Sequence, residues 1–256
     1  MNDSADRQIL AAAVSRAVAA RRHEGGDEVL AELGWADMLT ADTSAALAVA
    51  FNELGADCIA SSYLSDVVAR GLGLPPGSGG GISSYGSSAP PGTIIGSAES
   101  ETLTVSSTTG DTVIVRRADL EVTPFVGIYP NLGLASVCVD AEARVGAAGR
   151  LWSETTDLGR VALAHEVATA SRSILMLATT LARDRVQFGR AIGSFQPVRH
   201  MLAEALIAVE AAEAGVDAAH HRPSRTTALL AQVLAGRALG RREALSAGAG
   251  WHRVHS

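Results

Sequence analysis

The spacing of apolar and polar positions divides the chain into three zones. In the first zone, up to residue 74, apolar residues recur at helical spacing, and the breaker Gly25-Gly26 interrupts them. The pattern predicts helices over 5–22, 27–33, 43–54 and 59–70. We therefore interpret residues 1–74 as an N-terminal helical domain.

The second zone opens with proline, glycine and serine and then alternates with period two. Residues 75–92 carry almost no apolar side chains and are interpreted as a linker. Their glycines follow no predicted strand and form no GK[ST] or GxGxxG motif, which argues against a phosphate cradle. The alternation predicts a small β domain, residues 93–145, of four or five strands. Strands are expected over 101–106, 111–116, 120–126 and 135–140.

The third zone, residues 146–256, returns to helical spacing. One helix is predicted over 161–185, a second from a Ser194 cap to about residue 220, and a third over 226–239. Short connections between long helices favour an antiparallel bundle. The predicted fold class is mostly α, with N-terminal helices, a reduced β middle domain and a C-terminal antiparallel helical bundle.

Composition narrows the class of protein. The 256 residues are 47% apolar and 19% charged, which excludes a disordered chain, and the net charge of −6 argues against nucleic acid as a partner. The chain has no run of about 18 apolar residues, so no membrane span is expected. Its polar start is unlike a signal peptide, and we expect a cytoplasmic protein.

Cysteine and histidine usage predicts no metal. Cys58 and Cys138 lie far apart in unlike segments, and two cysteines make neither a disulfide framework nor a zinc site, so both are predicted to be small buried hydrophobes. His220 and His221 stand at a predicted helix end without ligand-spaced cysteines or carboxylates. We interpret them as exposed cap residues.

One segment carries a specific signature. Residues 183–200, at the break between the first two bundle helices, read RDRVQFGRAIGSFQPVRH. This segment resembles the acyl-CoA dehydrogenase family, whose C-terminal helical domain carries the pattern R-x-[QT]-F-G-[RK]-x-[IL]-x-x-x-Q. The matching positions are Arg185, Gln187, Phe188, Gly189, Arg190, Ile192 and Gln196. Softer likenesses, Arg160 among them, extend the resemblance over most of the chain.

The resemblance implies an acyl-CoA dehydrogenase-like fold and FAD-dependent α,β-desaturation of an acyl-CoA thioester. It also implies electron transfer to an electron-transfer flavoprotein. In the family, the signature residues reach the flavin of a neighbouring subunit. The implied cofactor-binding residues are Arg185, Gln187, Phe188, Ile192 and Gln196.

The chemistry of these side chains agrees with that role. A guanidinium at a helix end supplies charge-assisted hydrogen bonds to a pyrophosphate, and the two glutamines offer amide donors. The ring of Phe188 offers an apolar face to the adenosine half. The alternative interpretation is that Arg185 pairs with Asp184 or Glu204 on the surface and that Phe188 belongs to the core.

No catalytic base is assigned. The family's usual glutamate lies beyond the last residue of this chain, and Gly159 stands where some members carry theirs. Glu166 is the candidate that we would test, and the other bundle glutamates are interpreted as surface charges. The short middle domain resembles the smaller subunit of heteromeric acyl-CoA dehydrogenases of bacterial steroid breakdown. A homologous subunit is then expected to supply the base and the flavin-ring pocket.

The last residues, Gly250 to Ser256, suggest a shifted reading frame. Read one nucleotide later, their codons permit G-G-[IT]-G-F-T, which resembles the family's continuation. We hypothesise that the last fifteen or so residues are out of frame, and a chance match in a tail rich in alanine, glycine and arginine is the alternative. An incomplete bundle is expected to expose apolar faces over 174–181 and 202–209 and to be poorly stable.

A second hypothesis belongs to another functional class. The chain is then a non-catalytic helical interaction or scaffold protein that retains the fold without flavin chemistry. A complex with a homologous subunit distinguishes the two hypotheses, because the first requires bound flavin and the second does not.

Overall fold

A computed structural model describes most of the chain. The described residues are 3–20, 26–59, 61–74, 82–85, 92–94, 102–107, 112–124, 135–139, 144–148 and 152–250. The predicted turn at 109–111, most of the predicted linker and the tail at 251–256 lie outside them.

Helices occupy both ends of the sequence. The N-terminal helices are α1 (Asp3–Ala20), α2 (Gly26–Glu32), α3 (Trp35–Ala41), α4 (Thr43–Asp57) and α5 (Leu64–Gly71). The C-terminal helices are α6 (Trp152–Asp184), α7 (Gln196–His221) and α8 (Arg225–Gly250). The mostly α fold class with a small β middle region is confirmed.

Short strands lie between the two helical regions. They are β1 (Ile82–Tyr85), β2 (Gly92–Ile94), β3 (Thr102–Ser107), β4 (Thr112–Arg116), β5 (Leu120–Pro124), β6 (Ala135–Val139) and β7 (Arg144–Ala148). One sheet has the order β1-β3-β4-β7 and the other β2-β6-β5. The β1–β3 pair is parallel and the remaining pairs are antiparallel.

The strand prediction was wrong in number. Among the described residues of this region lie seven strands where four or five were expected, and β1 falls inside the predicted linker. A sequence such as Ile82-Ser-Ser-Tyr85 has little alternation of its own, but its backbone pairs with β3 in register from Ile82↔Thr104 to Tyr85↔Ser107. Hydrogen bonds to a neighbouring strand thus stabilise a strand for which the local sequence has little preference.

The chain divides into two compact units, Met1–Ala50 with Ile59–Ala162, and Phe51–Cys58 with Leu163–Ser256. The predicted domain boundaries at 74, 92 and 145 stay predictions.

The first unit has a helical core that is tied by buried polar contacts. Trp35, 2% exposed, donates its indole N–H to the Asp66 carboxylate at 3.1 Å. The Tyr63 hydroxyl donates to the Asp27 carbonyl at 2.8 Å, and the Asp27 carboxylate accepts the Ser62 N–H at 2.8 Å. Burial, together with the charges of Asp27 and Asp66, raises the pKa of Tyr63 to about 12. These contacts link α2, α3 and α5.

In the second unit, α7 and α8 meet through small side chains. The buried positions of this pair are mostly alanine, which lets the two backbones approach closely. They include Ala205, Ala212, Ala219, Ala228, Ala231, Ala235 and Ala238. A Cβ at Gly215 would lie 2.8 Å from the end of the Leu234 side chain and 3.3 Å from the Ala231 backbone, so a larger residue here requires these neighbours to shift.

Ion pairs join α6 to α7. The Arg172 guanidinium donates to the carboxylates of Glu210 at 2.9 Å and Glu213 at 2.5 Å, and these bonds raise its pKa. Because all three side chains are partly exposed, the network adds little stability and mainly orients the helices.

Large apolar side chains face solvent on the same helices. Leu177 is 71% exposed on α6 and Ile207 is 69% exposed on α7. Other exposed members are Met176, Leu181, Leu206, Leu229, Leu230 and Val233. The apolar faces predicted over 174–181 and 202–209 therefore include residues that this unit leaves uncovered.

Two local expectations were wrong. Ser194 does not cap α7, because Phe195 is the N-cap residue and the Ser194 hydroxyl instead donates to the Ala191 carbonyl at 2.7 Å. Cys58 is exposed rather than buried, because it lies just after α4 in a left-handed conformation with φ of 53°.

One helix passes a test for membrane spanning by length and composition. It is the segment Thr156–Asp184 of α6. This segment carries Glu166 and Arg172, and charged groups at a bilayer centre cost roughly 3 kcal/mol each. The core helix of a water-soluble protein passes the same test, so the result is weak support for a membrane span.

Candidate functional site

The signature segment forms a hairpin between α6 and α7. Strands β8 (Val186–Gln187) and β9 (Arg190–Ala191) pair with Gln187 opposite Arg190. The Arg185 N–H still bonds to the Leu181 carbonyl at 2.9 Å, and the Ile192 N–H donates to the Arg185 carbonyl at 2.8 Å. The hairpin therefore closes directly on the end of α6.

The tip of the hairpin is conformationally strained. Phe188 has φ of 52° and Gly189 has φ of 78°, and positive φ at both central residues is the property of a type I′ turn. Glycine adopts this conformation freely, whereas a bulky residue such as Phe188 is an outlier there. Strain of this kind is typical of functional positions.

Aromatic contacts organise the outer face of the hairpin. The rings of Phe188 and Phe195 meet edge to face, with centroids 6.2 Å apart and planes at 85°. The Arg190 guanidinium carbon lies 4.1 Å from the centroid of the Phe195 ring. Phe188 itself is 86% exposed.

Gly193 keeps the hairpin close to α6. A Cβ at this position would lie 2.9 Å from the Ala182 carbonyl oxygen, a backbone atom that cannot move aside cheaply. This close approach of the hairpin backbone to α6 explains why position 193 is glycine.

The five predicted cofactor residues lie on the hairpin or where it joins α6 and α7. Gln187, Phe188 and Gln196 are exposed, and Arg185 and Ile192 are half-buried. Within the described part of the chain, the Arg185 side chain has no hydrogen bond or ion pair, so the alternative pairing with Asp184 or Glu204 is not found. The alternative that Phe188 belongs to the core is wrong.

The contact between Arg190 and Phe195 was missed from the sequence. Arg190 matched the signature but was given no role, and Phe195 was given none either. An arginine five positions before an aromatic residue is a weak signal. It becomes specific only when the backbone between the two residues is known, since that segment includes the short 3-10 helix Ile192–Ser194.

Three positions bear on the missing catalytic base. Gly159 packs against Leu64 and Val68, where a Cβ would lie 3.0 Å from a Val68 methyl group. Arg160 pairs with Asp157 at 2.5 Å and with the Thr156 hydroxyl at 2.8 Å. Position 159 is glycine and supplies no catalytic carboxylate, and Arg160 pairs with Asp157 instead.

Glu166 is half-buried on α6, and burial raises the pKa of its carboxyl. Its backbone carbonyl lies against Gly55 of α4, where a Cβ would collide with it. The backbone contact places Glu166 at a helix crossing, and a role of its carboxylate as the base stays a prediction.

A buried histidine connects three helices in the second unit. His165 Nδ1 lies 3.0 Å from Asn52 Oδ1, and His165 Nε2 lies 2.5 Å from His220 Nε2. Thr169 also donates to Asn52 Oδ1 at 2.9 Å. Since the Asn52 oxygen only accepts, His165 donates from Nδ1 and accepts from His220 at Nε2.

His220 is therefore a packing residue as well as a helix-end residue, whereas His221 is exposed. Among the described residues, no group of three or more histidine, cysteine or acidic side chains is arranged to hold a metal ion.

Comparison with known proteins identifies the second helical region. Residues 149–246 match the family model for the acyl-CoA dehydrogenase C-terminal domain. Acyl-CoA dehydrogenase IpdE2 of Mycobacterium tuberculosis is 41% identical over 83 residues, which make up 32% of this chain and 26% of that protein. The match therefore spans about a quarter of the length of this curated relative.

Solved structures extend the likeness to nearly the whole chain. A variant of the Tcur3481-Tcur3483 steroid ACAD has a TM-score of 0.64 at 19% identity, over 96% of this chain and 86% of that one. The ChsE4-ChsE5 complex from Mycobacterium tuberculosis has a TM-score of 0.65 at 18% identity, over 93% and 84%. Residues 149–246 are therefore similar to the acyl-CoA dehydrogenase C-terminal domain, and the chain has the fold of the acyl-CoA dehydrogenases it resembles.

Proposed function

We propose that this protein is one subunit of an FAD-dependent acyl-CoA dehydrogenase that catalyses α,β-desaturation of an acyl-CoA thioester. Its hairpin contributes contacts to the pyrophosphate and adenosine side of an FAD site that it shares with a homologous subunit. The observation that carries the proposal is the Arg185 guanidinium, which has no ion pair within the described residues, beside the exposed Phe188 in a family signature.

The donor set fits a dinucleotide. Arg185 supplies a permanent positive charge and several N–H donors for a pyrophosphate. Gln187 and Gln196 are exposed amides that donate to phosphate or ribose oxygens, and Phe188 and Ile192 offer apolar contact to the adenosine. Since the exposed members face outward from this subunit, they suit a cofactor bound largely by a partner.

The residues present suggest which subunit orients FAD and which supplies the catalytic base. Bound FAD supplies the acceptor for the hydride from the substrate β-carbon, while a carboxylate base removes the α-proton. This chain orients the cofactor through its hairpin, and glycine at position 159 supplies no carboxylate where some members of the family carry their base. The partner subunit is therefore assigned the base and the flavin-ring pocket.

The substrate and partners are proposed from the relatives. One solved neighbour is named a steroid ACAD and another is a complex of two proteins, ChsE4 and ChsE5. We assign a bulky CoA thioester, such as that of a steroid-derived acid, as the substrate. The assigned partner is a homologous acyl-CoA dehydrogenase subunit, and the assigned electron acceptor is an electron-transfer flavoprotein. We place the assembly in the cytoplasm.

Replacement of Arg185 tests the proposal. The chain is co-expressed with a homologous full-length subunit, and flavin absorbance per complex and the Kd for FAD are measured. Loss of a charge-assisted hydrogen bond is expected to raise the Kd in R185A about 10- to 100-fold. Arg237→Ala, at an exposed position of α8, is the matched control and is expected to retain FAD. Equal FAD retention in R185A and wild type would refute the proposal.

The non-catalytic alternative is favoured by one observation, the exposed apolar side chains on α6, α7 and α8. These suit an interaction protein whether or not flavin is bound. A stable but colourless complex, inactive on acyl-CoA thioesters, would support that alternative.

A further inference from the structure

We infer that Arg190 is a positioning residue, whose guanidinium stacks on Phe195 and thereby holds the Phe188 ring in place for the cofactor. We call Arg190, Phe195 and Phe188 the aromatic clasp. The inference rests on the proposed function, because it explains how the adenosine contact is set before the cofactor arrives.

Phe195 is the fixed member of the clasp. It is the N-cap residue of α7, and its carbonyl accepts the Arg199 N–H at 3.1 Å. Its own N–H donates to the Ile192 carbonyl at 3.1 Å. With its backbone held on both sides, the ring is a stable platform at the base of the hairpin.

Arg190 and Phe188 both contact this platform. The guanidinium lies 4.1 Å from the ring centroid, within the range of a cation–π contact. Phe188 approaches edge to face at 6.2 Å, a favoured geometry for aromatic pairs. Because Arg190 and Gln187 are paired residues of the two strands, movement of Arg190 also moves the turn that carries Phe188.

Phe188 needs such support. It is 86% exposed and has a positive φ, so neither a core nor backbone preference holds its ring in one position. A mobile ring loses conformational entropy when it binds a ligand, and a ring that is already held in place loses less. The contact to Phe195 provides the pre-organisation.

Arginine is the residue type that this role requires. Its planar guanidinium stacks on an aromatic face and keeps its N–H edge hydrated, whereas a lysine ammonium stacks poorly. Replacement by lysine keeps the charge and removes the planar contact. Replacement by glutamine removes the charge as well.

The clasp is tested first on the full-length chain without cofactor. The protein contains four phenylalanines, so para-fluorophenylalanine labelling gives four ¹⁹F resonances, and Phe188→Leu and Phe195→Leu assign two of them. Arg190→Gln is expected to shift both assigned resonances while the thermal midpoint stays unchanged, and R190K is expected to shift them less. Arg237→Gln is the control at an exposed site. Unchanged resonances in R190Q would overturn the inference.

The second measurement is FAD affinity in the complex with a homologous subunit. Loss of an exposed cation–π contact is expected to raise the Kd about two- to five-fold in R190Q, with R190K in between. A shifted Phe188 resonance with unchanged affinity would also overturn the positioning role. Failure of the proposed function is recognised separately, because R185A would then retain FAD whatever the ¹⁹F spectra show.

Discussion

His165 is a buried imidazole whose two ring nitrogens are both engaged. Its Nδ1–H donates to Asn52, its Nε2 accepts from His220, and the side chain is 5% exposed. Burial, with a smaller contribution from the His220 charge, lowers its pKa from 6.5 to about 3. The histidine is therefore neutral in the folded protein at neutral pH.

The free energy of unfolding is expected to decrease as the pH is lowered through the range 6.5 to 3. In that range the unfolded chain binds a proton at this histidine and the folded chain does not, so acid favours unfolding. The contribution of His165 between pH 7 and pH 5 is about 2 kcal/mol, measured by urea unfolding. Glu166, whose pKa is raised by burial, acts in the opposite direction.

A variant isolates the histidine. His165→Gln is expected to lose this part of the pH dependence, since Glu166 is common to both proteins and cancels in the difference. His200→Gln, at an exposed position of α7, is the control that keeps the wild-type slope. The same slope in H165Q and wild type would contradict the assignment.

At the scale of elements, two glycines in helices are expected to respond oppositely to alanine. At Gly55 of α4, a Cβ would collide with the Glu166 backbone carbonyl, so Gly55→Ala is expected to cost about 1–3 kcal/mol. At Gly236 of α8 nothing lies within 4 Å of a Cβ, and Gly236→Ala is expected to stabilise by about 0.5–1 kcal/mol. Denaturant unfolding of both variants provides the measurement, and a neutral G55A would show that the helices separate without cost.

The long helices were predictable because each carries a periodic apolar stripe, such as Val14 and Val18 in α1 or Val209 and Val216 in α7. The seven-residue α3 is too short for a period to show. Strand β7, Arg144–Ala148, is rich in small residues and is defined by pairing with β4 rather than by its own alternation. Strands whose own sequence alternates little, such as β1 and β7, were therefore missed.

The candidate site was predictable only in part, for a related reason. A local signature identified Arg185 and its neighbours because those residues are close in sequence and their chemistry suits a pyrophosphate. The contact of Arg190 with Phe195 depends on the course of the backbone through residues 191–194, which include a short 3-10 helix, Ile192–Ser194. Residue types alone do not reveal a contact that the backbone conformation creates.

At the scale of the whole molecule, the exposed apolar side chains of the helical bundle bear most directly on association. Leu177 and Ile207 are 71% and 69% exposed, whereas the alanines between α7 and α8 are buried. Several large apolar residues of the bundle thus lie on its surface, while alanines and a few valines fill the contact between α7 and α8. Several large apolar side chains exposed on neighbouring helices are typical of protein interfaces.

Leu177→Glu combined with Ile207→Glu is expected to weaken association while leaving the fold intact. Both side chains are mainly solvated, so each substitution should change the free energy of unfolding by no more than about 0.5 kcal/mol. In contrast, a carboxylate buried in an interface without a partner is strongly unfavourable. Sedimentation velocity of the chain alone, and its yield in co-purification with a homologous subunit, measure the effect. Thr226→Glu with Gln232→Glu adds the same charge at exposed polar positions of α8 and should associate as wild type does. If both double variants behave alike, net charge and not the apolar face controls association.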